Sequence, residues 1–335
     1  MKRILCIVVA LLTLLLSSCR IQQHETVIEF YYDYDMNEYI TVGKYDSVIK
    51  RDSKEYGKAA HEFFLGKFEN TLSYQTDKGV VELWDVANIN FLGRLDGRDV
   101  EGCSDMNLDV TVGSGDMSLA ALEEKLVGLE IGKEYDFGIT MPNDFIDEKA
   151  RGKEVSFKVV VNYATKYKDV DDSAAKKAGY ASAKEYQKAE DDFAIGCCMY
   201  NRIYDATKFN SYPEKETDAL IEAYYTAMHY KAEKSGTTIE KMIADRGMTV
   251  AEFEEVLIES IQQNFKNMPR DLVSYYILQT NNAKLDENDI FMATEDLKKI
   301  HGENLEEVGY VDVEIQRYAA YNKAIKIARE LATVK

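Results

Sequence analysis

The sequence predicts an α+β fold in two parts, an antiparallel half-barrel wrapped on a short helix and then an all-α part. Between residues 80 and 165, several short segments alternate apolar and polar residues, as half-buried strands do. From about residue 170 onwards, apolar residues recur at the spacing of amphipathic helices. Strands and helices therefore occupy separate stretches of the chain, which is typical of the α+β class.

Length and charge narrow the classes of function. The chain has 335 residues, enough for two or three domains, and 46% of them are hydrophobic. Its formal net charge of −18 disfavours nucleic acid and a ribosome as partners, because binding a phosphate backbone requires a basic surface. Tyrosine is abundant, at 23 residues, and its ring with a polar end suits surfaces that contact other molecules.

Residues 1–19 have the pattern of a signal peptide. Lys2 and Arg3 precede an apolar run over residues 4–16, which is too short for a comfortable membrane span. The run ends in "LSSC", which resembles a bacterial lipobox, so we expect Cys19 to be lipidated. Acyl chains on this residue would anchor the protein on the extracytoplasmic face of a bacterial cell membrane. The alternative is an ordinary signal peptide with an incidental cysteine.

The cysteines and histidines do not indicate a metal site. After removal of the signal peptide and lipidation, Cys103, Cys197 and Cys198 remain, and adjacent cysteines rarely pair with each other. The four histidines are far apart in the sequence, and no Cys/His spacing indicates zinc. We expect neither a metal nor another cofactor, and the role of Cys197 and Cys198 stays open.

Residues 20–75 form a predicted linker segment ahead of the strands. Its first part, "TVIEFYYDYD", fits a strand or an extended tether. The later stretch over residues 53–72 has apolar residues at helical spacing, from Tyr56 to Phe68, which predicts a helix.

A hairpin and a short helix define the predicted half-barrel. Asp96-Gly97 lies between two alternating segments, and this dipeptide favours the positive φ angles of a two-residue turn. The segment "LAALEEKLVGLEIG" over residues 119–132 has one apolar face. It therefore predicts a short helix that Gly128 or Gly132 would end.

Helix start signals divide the second half of the chain. Thr237 with Glu240 and Thr249 with Glu252 predict two capping boxes. Pro269 either opens a new helix or kinks a long one. No internal repeat of about 20–50 residues is visible, so the pattern is not that of a solenoid.

The order of these elements resembles the trigger factor family over roughly residues 37–335. "WDVANINFLGRLDGRDVEG" is similar to the family pattern "GD.V.IDY.G..DG..FEG", and "LDVTVGSGDM" to the strand and Gly-rich turn that follow. "LEEKLVGLEIGKEYDFGITMPNDFIDEKARGKEVSFKVVV" is similar to "FE..L.G...GE...V.V.FP..Y....L.GK...F.V.V". "EKETDALIEAYY" after Pro213 and "TTIEKMIADRGMTVAEFEEVL" resemble the family's chaperone arms.

The resemblance implies an FKBP-type peptidyl-prolyl isomerase domain over residues 76–168 and a helical chaperone domain over residues 169–335. The family's ribosome-binding domain, with its "GFR.GK.P" loop, has no counterpart in the sequence, so we expect a lipoprotein variant without it. Its partners would be unfolded or newly secreted polypeptides that contain X-Pro bonds, and neither a ribosome nor nucleic acid.

The resemblance also implies a proline pocket. Rotation about a peptide bond meets a barrier of roughly 20 kcal/mol, and an apolar pocket lowers the barrier at proline by removing water from the imide, without a nucleophile or a metal. The residues implied for this catalytic site are Phe91, Val100, Glu101, Leu108, Met117, Leu122, Phe145 and Phe157.

Three of these positions depart from the family pattern. Val100 stands where Phe is usual, and Leu122 stands where an aromatic ring forms the floor. Phe145 replaces a Tyr whose hydroxyl would bond the substrate carbonyl, a loss of about 1 kcal/mol. These changes predict weak isomerase activity. The alternative is that the apolar residues are ordinary core and that Glu101 is a solvated strand end.

Two classes of function stay open. The first is a prolyl isomerase whose helical domain supplies clients, and the second is a holdase-type chaperone with a degenerate, inactive pocket. A solute-binding lipoprotein is a weaker alternative, because the sequence lacks a βαβ alternation. Aromatic and Met residues at helical spacing suit adaptable client contacts, although such residues also form cores. The predicted client-binding residues are Tyr224, Tyr225, Met228, Tyr275 and Tyr276, with Tyr230 beside them.

Overall fold

A computed structural model describes residues 34–260, 267–303, 305 and 312–335. Its mixture of helices and strands confirms the predicted α+β class. The signal peptide and Cys19 lie outside the described residues. The chain divides into two compact units, which we call the sheet unit, residues 50–194, and the helical unit, residues up to 49 with 195–335. The domain bounds expected from the sequence stay a prediction.

The elements are numbered in chain order. They are α1 (Met36–Tyr39), β1 (Ile40–Val42), β2 (Val48–Ile49), α2 (Lys54–Leu72), β3 (Ser73–Thr76), β4 (Val86–Leu95), β5 (Arg98–Thr111), α3 (Ala120–Leu126), β6 (Glu134–Thr140), β7 (Glu154–Tyr167), α4 (Asp172–Lys177), α5 (Ala183–Asp205), β8 (Thr207–Phe209), α6 (Glu214–Lys234), α7 (Ile239–Ala244), α8 (Val250–Glu259), α9 (Asn267–Thr280), α10 (Glu287–His301), α11 (Asp312–Leu331) and β9 (Thr333–Val334).

A five-stranded antiparallel sheet is the framework of the sheet unit, with β5, β4 and β7 as neighbours. The far edge of β7 pairs first with β6 and then with β3. Helix α3 packs on this sheet through Leu122 and Leu126, which have no exposed surface. The apolar face expected for residues 119–132 is therefore the face that the sheet covers.

The predicted hairpin is confirmed. Asp96 and Gly97 connect β4 to β5, and the residues on either side of them, Leu95 and Arg98, pair directly. Both turn residues have positive φ, +52° and +79°, as a type I′ turn requires. Asx-Gly is favoured here because Asp tolerates this conformation and Gly has no Cβ to oppose it.

Helix α2 confirms the helix expected in the linker segment, and it packs within the sheet unit. The Ser53 hydroxyl caps its first turn by accepting from the Tyr56 N–H. Gly57 allows a close approach, since a Cβ there would lie 2.8 Å from Cζ2 of Trp84. His61 stacks on the same indole at 5.1 Å between ring centroids, and burial lowers the pKa of its imidazole.

Caps begin the shorter helices of the helical unit. The Thr249–Glu252 capping box at the start of α8 is confirmed. The box predicted for Thr237 and Glu240 is wrong, because Thr238 is the residue that caps α7. Two adjacent threonines each carry a hydroxyl that could act as the cap. The backbone path determines which hydroxyl faces the N–H three residues further on. In the described ranges, no helix is long and apolar enough to cross a membrane.

A buried ion pair joins two long helices of the helical unit. Pro269 lies near the start of the described part of α9, and residues 261–266 before it lie outside the described residues, so both expected outcomes for this proline stay predictions. Asp271 of α9 pairs with Arg317 of α11, and both side chains are buried. A charge at this depth requires its partner, because desolvation without compensation is costly.

Removing one partner tests this ion pair. Arg317→Met removes the main counter-charge of the buried Asp271 carboxylate and leaves only Arg270, whose Nε lies 3.9 Å from Oδ1. We therefore expect the free energy of unfolding of the helical unit to fall by about 3–5 kcal/mol. Urea unfolding followed by far-UV circular dichroism measures the change. The double variant Asp271→Leu/Arg317→Met removes both charges and should recover most of the loss. A single variant as stable as the wild type would contradict the importance of the pair.

Candidate functional site

Most of the residues predicted for the pocket lie in one apolar cluster of the sheet unit. Four of them are buried, with exposed fractions between 0% and 7%, and three more are partly buried and packed against the cluster. The strands β4, β5 and β7, helix α3 and the loops around them supply these side chains. The buried four are Phe91, Val100, Leu122 and Phe157, and the partly buried three are Leu108, Met117 and Phe145.

The floor of this cluster is closed. Leu122 and Phe157 have exposed fractions of 0%, so a proline ring could not touch them without displacing neighbouring side chains. The rings of Phe91 and Phe157 lie near each other, with centroids 6.3 Å apart. The structure therefore brings the predicted residues together without opening the deepest of them to solvent, and their catalytic role stays a prediction.

Glu101 is the exposed member of the predicted set. It follows the buried Val100 on β5. Because successive side chains of a strand point to opposite faces, the side chain of Glu101 lies on the other face of the strand from that of Val100. Glu101 lines a shallow, open groove of mixed charge between the β4–β5 hairpin and the loop that precedes β7. The groove is lined by Arg98, Asp99, Val100, Glu101, Gly102, Ser104, Asp147 and Lys149.

Phe145 reaches the cluster on the connection between β6 and β7, which we call the 141–153 loop. Backbone hydrogen bonds close its base, from Met141 N–H to Lys153 O at 2.9 Å and from Gly152 N–H to Met141 O at 3.1 Å. Within the loop, Arg151 Nε donates to the Phe145 carbonyl at 2.7 Å. The loop is therefore fixed at its base and around Phe145 by its own atoms.

A second contact fixes this loop to the hairpin. Arg98 Nη1 donates to Asp147 Oδ2 at 2.8 Å, and the Lys149 N–H donates to Oδ1 at 3.0 Å. The bond from Arg98 is the main cause that lowers the pKa of the Asp147 carboxyl. A lowered pKa means that the stabilisation is complete above the ordinary carboxyl range and is lost as the pH falls through the lowered value.

Glu123 is a site residue that sequence reasoning missed. Its buried carboxylate lies on α3 and accepts from the N–H groups of Gly113 and Gly115, both at 2.8 Å, and of Met117 at 3.2 Å. Three backbone donors on one carboxylate fix the segment that carries Met117. An acid beside Leu122 on a short helix, just after a Gly-rich turn, was the available signal.

The predicted client-binding residues are mostly inside the helical unit. Met228 and Tyr275 have exposed fractions of 0% and 1%, so they form core in this conformation. Tyr225 is half-buried and donates to Glu254 at 3.1 Å, and Tyr276 is also half-buried. The side chains of Tyr224 and Tyr230 are outside the described part of the structure. The client-binding role of the set stays a prediction.

The remaining cysteines are buried. Burial raises the pKa of the Cys103 thiol to about 11, so the thiol stays protonated at neutral pH. Its sulfur contacts Met141 Sδ at 3.8 Å, at the base of the 141–153 loop. Among the residues that the structure describes, no group of His, Cys, Asp and Glu is arranged to hold a metal ion.

Comparison with known proteins finds relatives of one name over much of the chain. Three curated relatives are called trigger factor. That of Staphylococcus carnosus is 33% identical over 45% of this chain and 33% of the relative. That of Caldicellulosiruptor saccharolyticus is 24% identical over 82% and 66%, and that of Halothermothrix orenii is 25% identical over 72% and 58%. The chain is thus similar to trigger factors over much of its length.

The extent of these matches is limited. The chain spans about one third to two thirds of the length of the curated relatives it matches. No family profile matches it. A solved structure of the trigger factor chaperone aligns over 87% of this chain and 72% of that chain, with 13% identity and a TM-score of 0.27, a superposition too loose to support a conclusion.

Replacing Glu123 tests its role in the site. Glu123→Gln keeps the size of the side chain but turns one acceptor into a donor that faces backbone N–H groups. We expect the free energy of unfolding of the sheet unit to fall by about 1.5–3 kcal/mol. Urea unfolding followed by the fluorescence of Trp84, the only tryptophan, measures it.

The neighbouring Glu124→Gln is the matched control, because Glu124 is exposed and pairs with Lys54 at 2.9 Å. Exposed pairs contribute little, so this variant should unfold as the wild type does. Equal unfolding curves for the two variants would contradict the role given to Glu123.

Proposed function

We propose that this protein is an extracytoplasmic, membrane-anchored folding factor, a peptidyl-prolyl cis-trans isomerase whose helical unit binds client polypeptides. One observation carries the isomerase part: the apolar residues implied for a proline pocket meet in one cluster of the sheet unit, beside the exposed carboxylate of Glu101. Similarity to the trigger factors supports the chaperone part.

The chemistry requires no covalent step. An apolar site that binds the proline ring removes water from the imide, so the loss of conjugation in the twisted state is less opposed by solvent. Phe91 and Phe157 supply aromatic surface, and Phe145 stands at the rim without a hydroxyl. Because the floor is closed, part of the binding energy is spent on displacing side chains, and the turnover is weak.

Client binding belongs to the helical unit. Helix α10 exposes three large apolar side chains, Phe291 at 60%, Met292 at 44% and Ile300 at 57%. Exposed apolar surface with a flexible Met suits contacts with unfolded chains of varied sequence. The clients are unfolded or newly secreted polypeptides that contain X-Pro bonds, and neither a ribosome nor nucleic acid is a partner.

A second candidate function is a holdase that binds chains without turnover. The specific observation in its favour is the absence of exposed surface on Leu122 and Phe157. A cluster that serves only as core would look the same, and the helical unit would then carry the whole activity.

Restoring a hydroxyl at position 145 separates the two candidates. In a protease-free assay of prolyl-peptide isomerisation on residues 20–335, we expect slow catalysis by the wild type. Phe145→Tyr adds a donor for the substrate carbonyl worth about 1 kcal/mol, so kcat/KM should rise about fivefold.

The control is Phe137→Tyr, which adds the same hydroxyl to a partly buried ring of the same cluster on β6. It should leave kcat/KM unchanged. If neither the wild type nor Phe145→Tyr accelerates isomerisation of the peptide, while both still suppress client aggregation, the isomerase function is contradicted and the holdase is favoured.

The membrane anchor has its own test. Cys19→Ser removes the only thiol that the lipobox places for acylation, so the variant should move from the membrane fraction to the soluble extracytoplasmic fraction. Cys6→Ser changes the other cysteine of the signal peptide and should remain in the membrane fraction. If both variants stay with the membrane, the lipidation of Cys19 is wrong.

A further inference from the structure

The groove beside the apolar cluster continues the proposed pocket at the surface. Val100 and Glu101 belong both to the pocket residues and to the lining of the groove. One wall is the start of β5 and the other is the 141–153 loop, which contributes Asp147 and Lys149. A client segment that places its proline near Val100 would therefore run along this groove.

The carboxylate of Asp147 joins the two walls. Its side chain is 9% exposed and accepts from Arg98 Nη1 at 2.8 Å, at the first residue of β5. The backbone N–H of Lys149 donates to the same carboxylate at 3.0 Å. One side chain of the loop thus binds the first residue of the strand and the backbone of its own loop.

The tip of the loop lies against β5 at a glycine. A Cβ at Gly102 would lie 3.2 Å from Ile146 Cγ2 and 3.6 Å from Phe145 Cζ, so these side chains already fill that space. Ile146 remains 65% exposed, and burial of its side chain therefore contributes little to holding the tip in place. The contacts of Asp147 are the strong interactions at this end of the loop.

We propose that Asp147 is a positioning residue for the client segment. By binding Arg98, it holds Phe145 and the loop tip against β5 and keeps the groove formed before a client arrives. A wall that is ordered beforehand lowers the entropic cost of binding. This role rests on the proposed function, because it assigns the groove to a prolyl segment.

The kinetic signature follows from this role. Loss of the ion pair disorders the groove wall, which the residues on either side of the proline contact in the planar and the twisted state alike. KM should therefore rise while kcat stays unchanged. A purely structural defect would lower the fraction of active protein, and so kcat, and leave KM as it was.

The test uses a fluorescently labelled peptide with one Leu-Pro bond, and a Leu-Ala peptide to show that binding depends on proline. In Asp147→Asn and Arg98→Ala, we expect Kd by anisotropy and KM by the isomerase assay to rise roughly three- to tenfold. Hydrogen exchange of the amides of residues 145–149 should quicken in the same variants. Arg98→Lys keeps the positive charge and should recover most of the affinity.

The matched control is Arg94→Ala. Arg94 pairs with Asp99 at 2.7 Å on the same hairpin, and both side chains are exposed. Its loss should change neither the Kd nor the amide exchange of the 141–153 loop.

The outcomes distinguish this inference from the proposed function. If the wild type binds the Leu-Pro peptide and Asp147→Asn binds it equally well or more tightly, the positioning role is overturned and the pocket stands. If the wild type binds the Leu-Pro peptide without turnover, the isomerase activity is contradicted. The ratio of the Kd of Asp147→Asn to that of the wild type then tests the role of Asp147. If the wild type does not distinguish the two peptides, the pocket and the positioning role are both wrong.

Discussion

The sheet unit depends on one constraint: the apolar face of its sheet must be covered, and the side chains that cover it are those that a proline pocket would use. Leu122 of α3 and Phe157 of β7 meet with no exposed surface. Fully burying such a side chain stabilises the fold by about 1.5–3 kcal/mol. Opening the floor for a ligand loses part of that stabilisation. The more tightly these side chains pack as core, the less readily they admit a proline ring.

Two carboxylates fix the parts of the candidate site that lie outside the apolar cluster. Glu123 accepts from the backbone N–H of Met117, and Asp147 accepts from Arg98 and so fixes the loop that carries Phe145. In both cases one buried carboxylate accepts from backbone N–H groups. The apolar cluster supplies the stability of the unit, and these carboxylates determine where the residues at its rim lie.

The limits of the sequence analysis follow from the range of the interactions. The Asp96-Gly97 turn and the apolar face of α3 were predictable because each is specified within a few residues. The Arg98–Asp147 pair joins residues that the sequence separates widely, and nothing in the neighbourhood of either one names the other. The exposure of Phe157 depends on how all the strands pack. The sequence could therefore indicate side chains that share one cluster, but not whether that cluster is open to solvent.

Binding with turnover and binding without it make different demands on this cluster. If the open floor is a minor state, the apparent affinity for a proline falls in proportion to the population of that state. Catalysis further requires that the twisted imide be bound more tightly than the planar one, and oriented polar groups provide this difference in binding. Phe145 has no hydroxyl to bind the substrate carbonyl, so preferential binding of the twisted imide is weak. The ordered groove, in contrast, assists binding of the chain in either state. Under the proposed function, we therefore expect binding of unfolded chains to dominate and isomerisation to be slow.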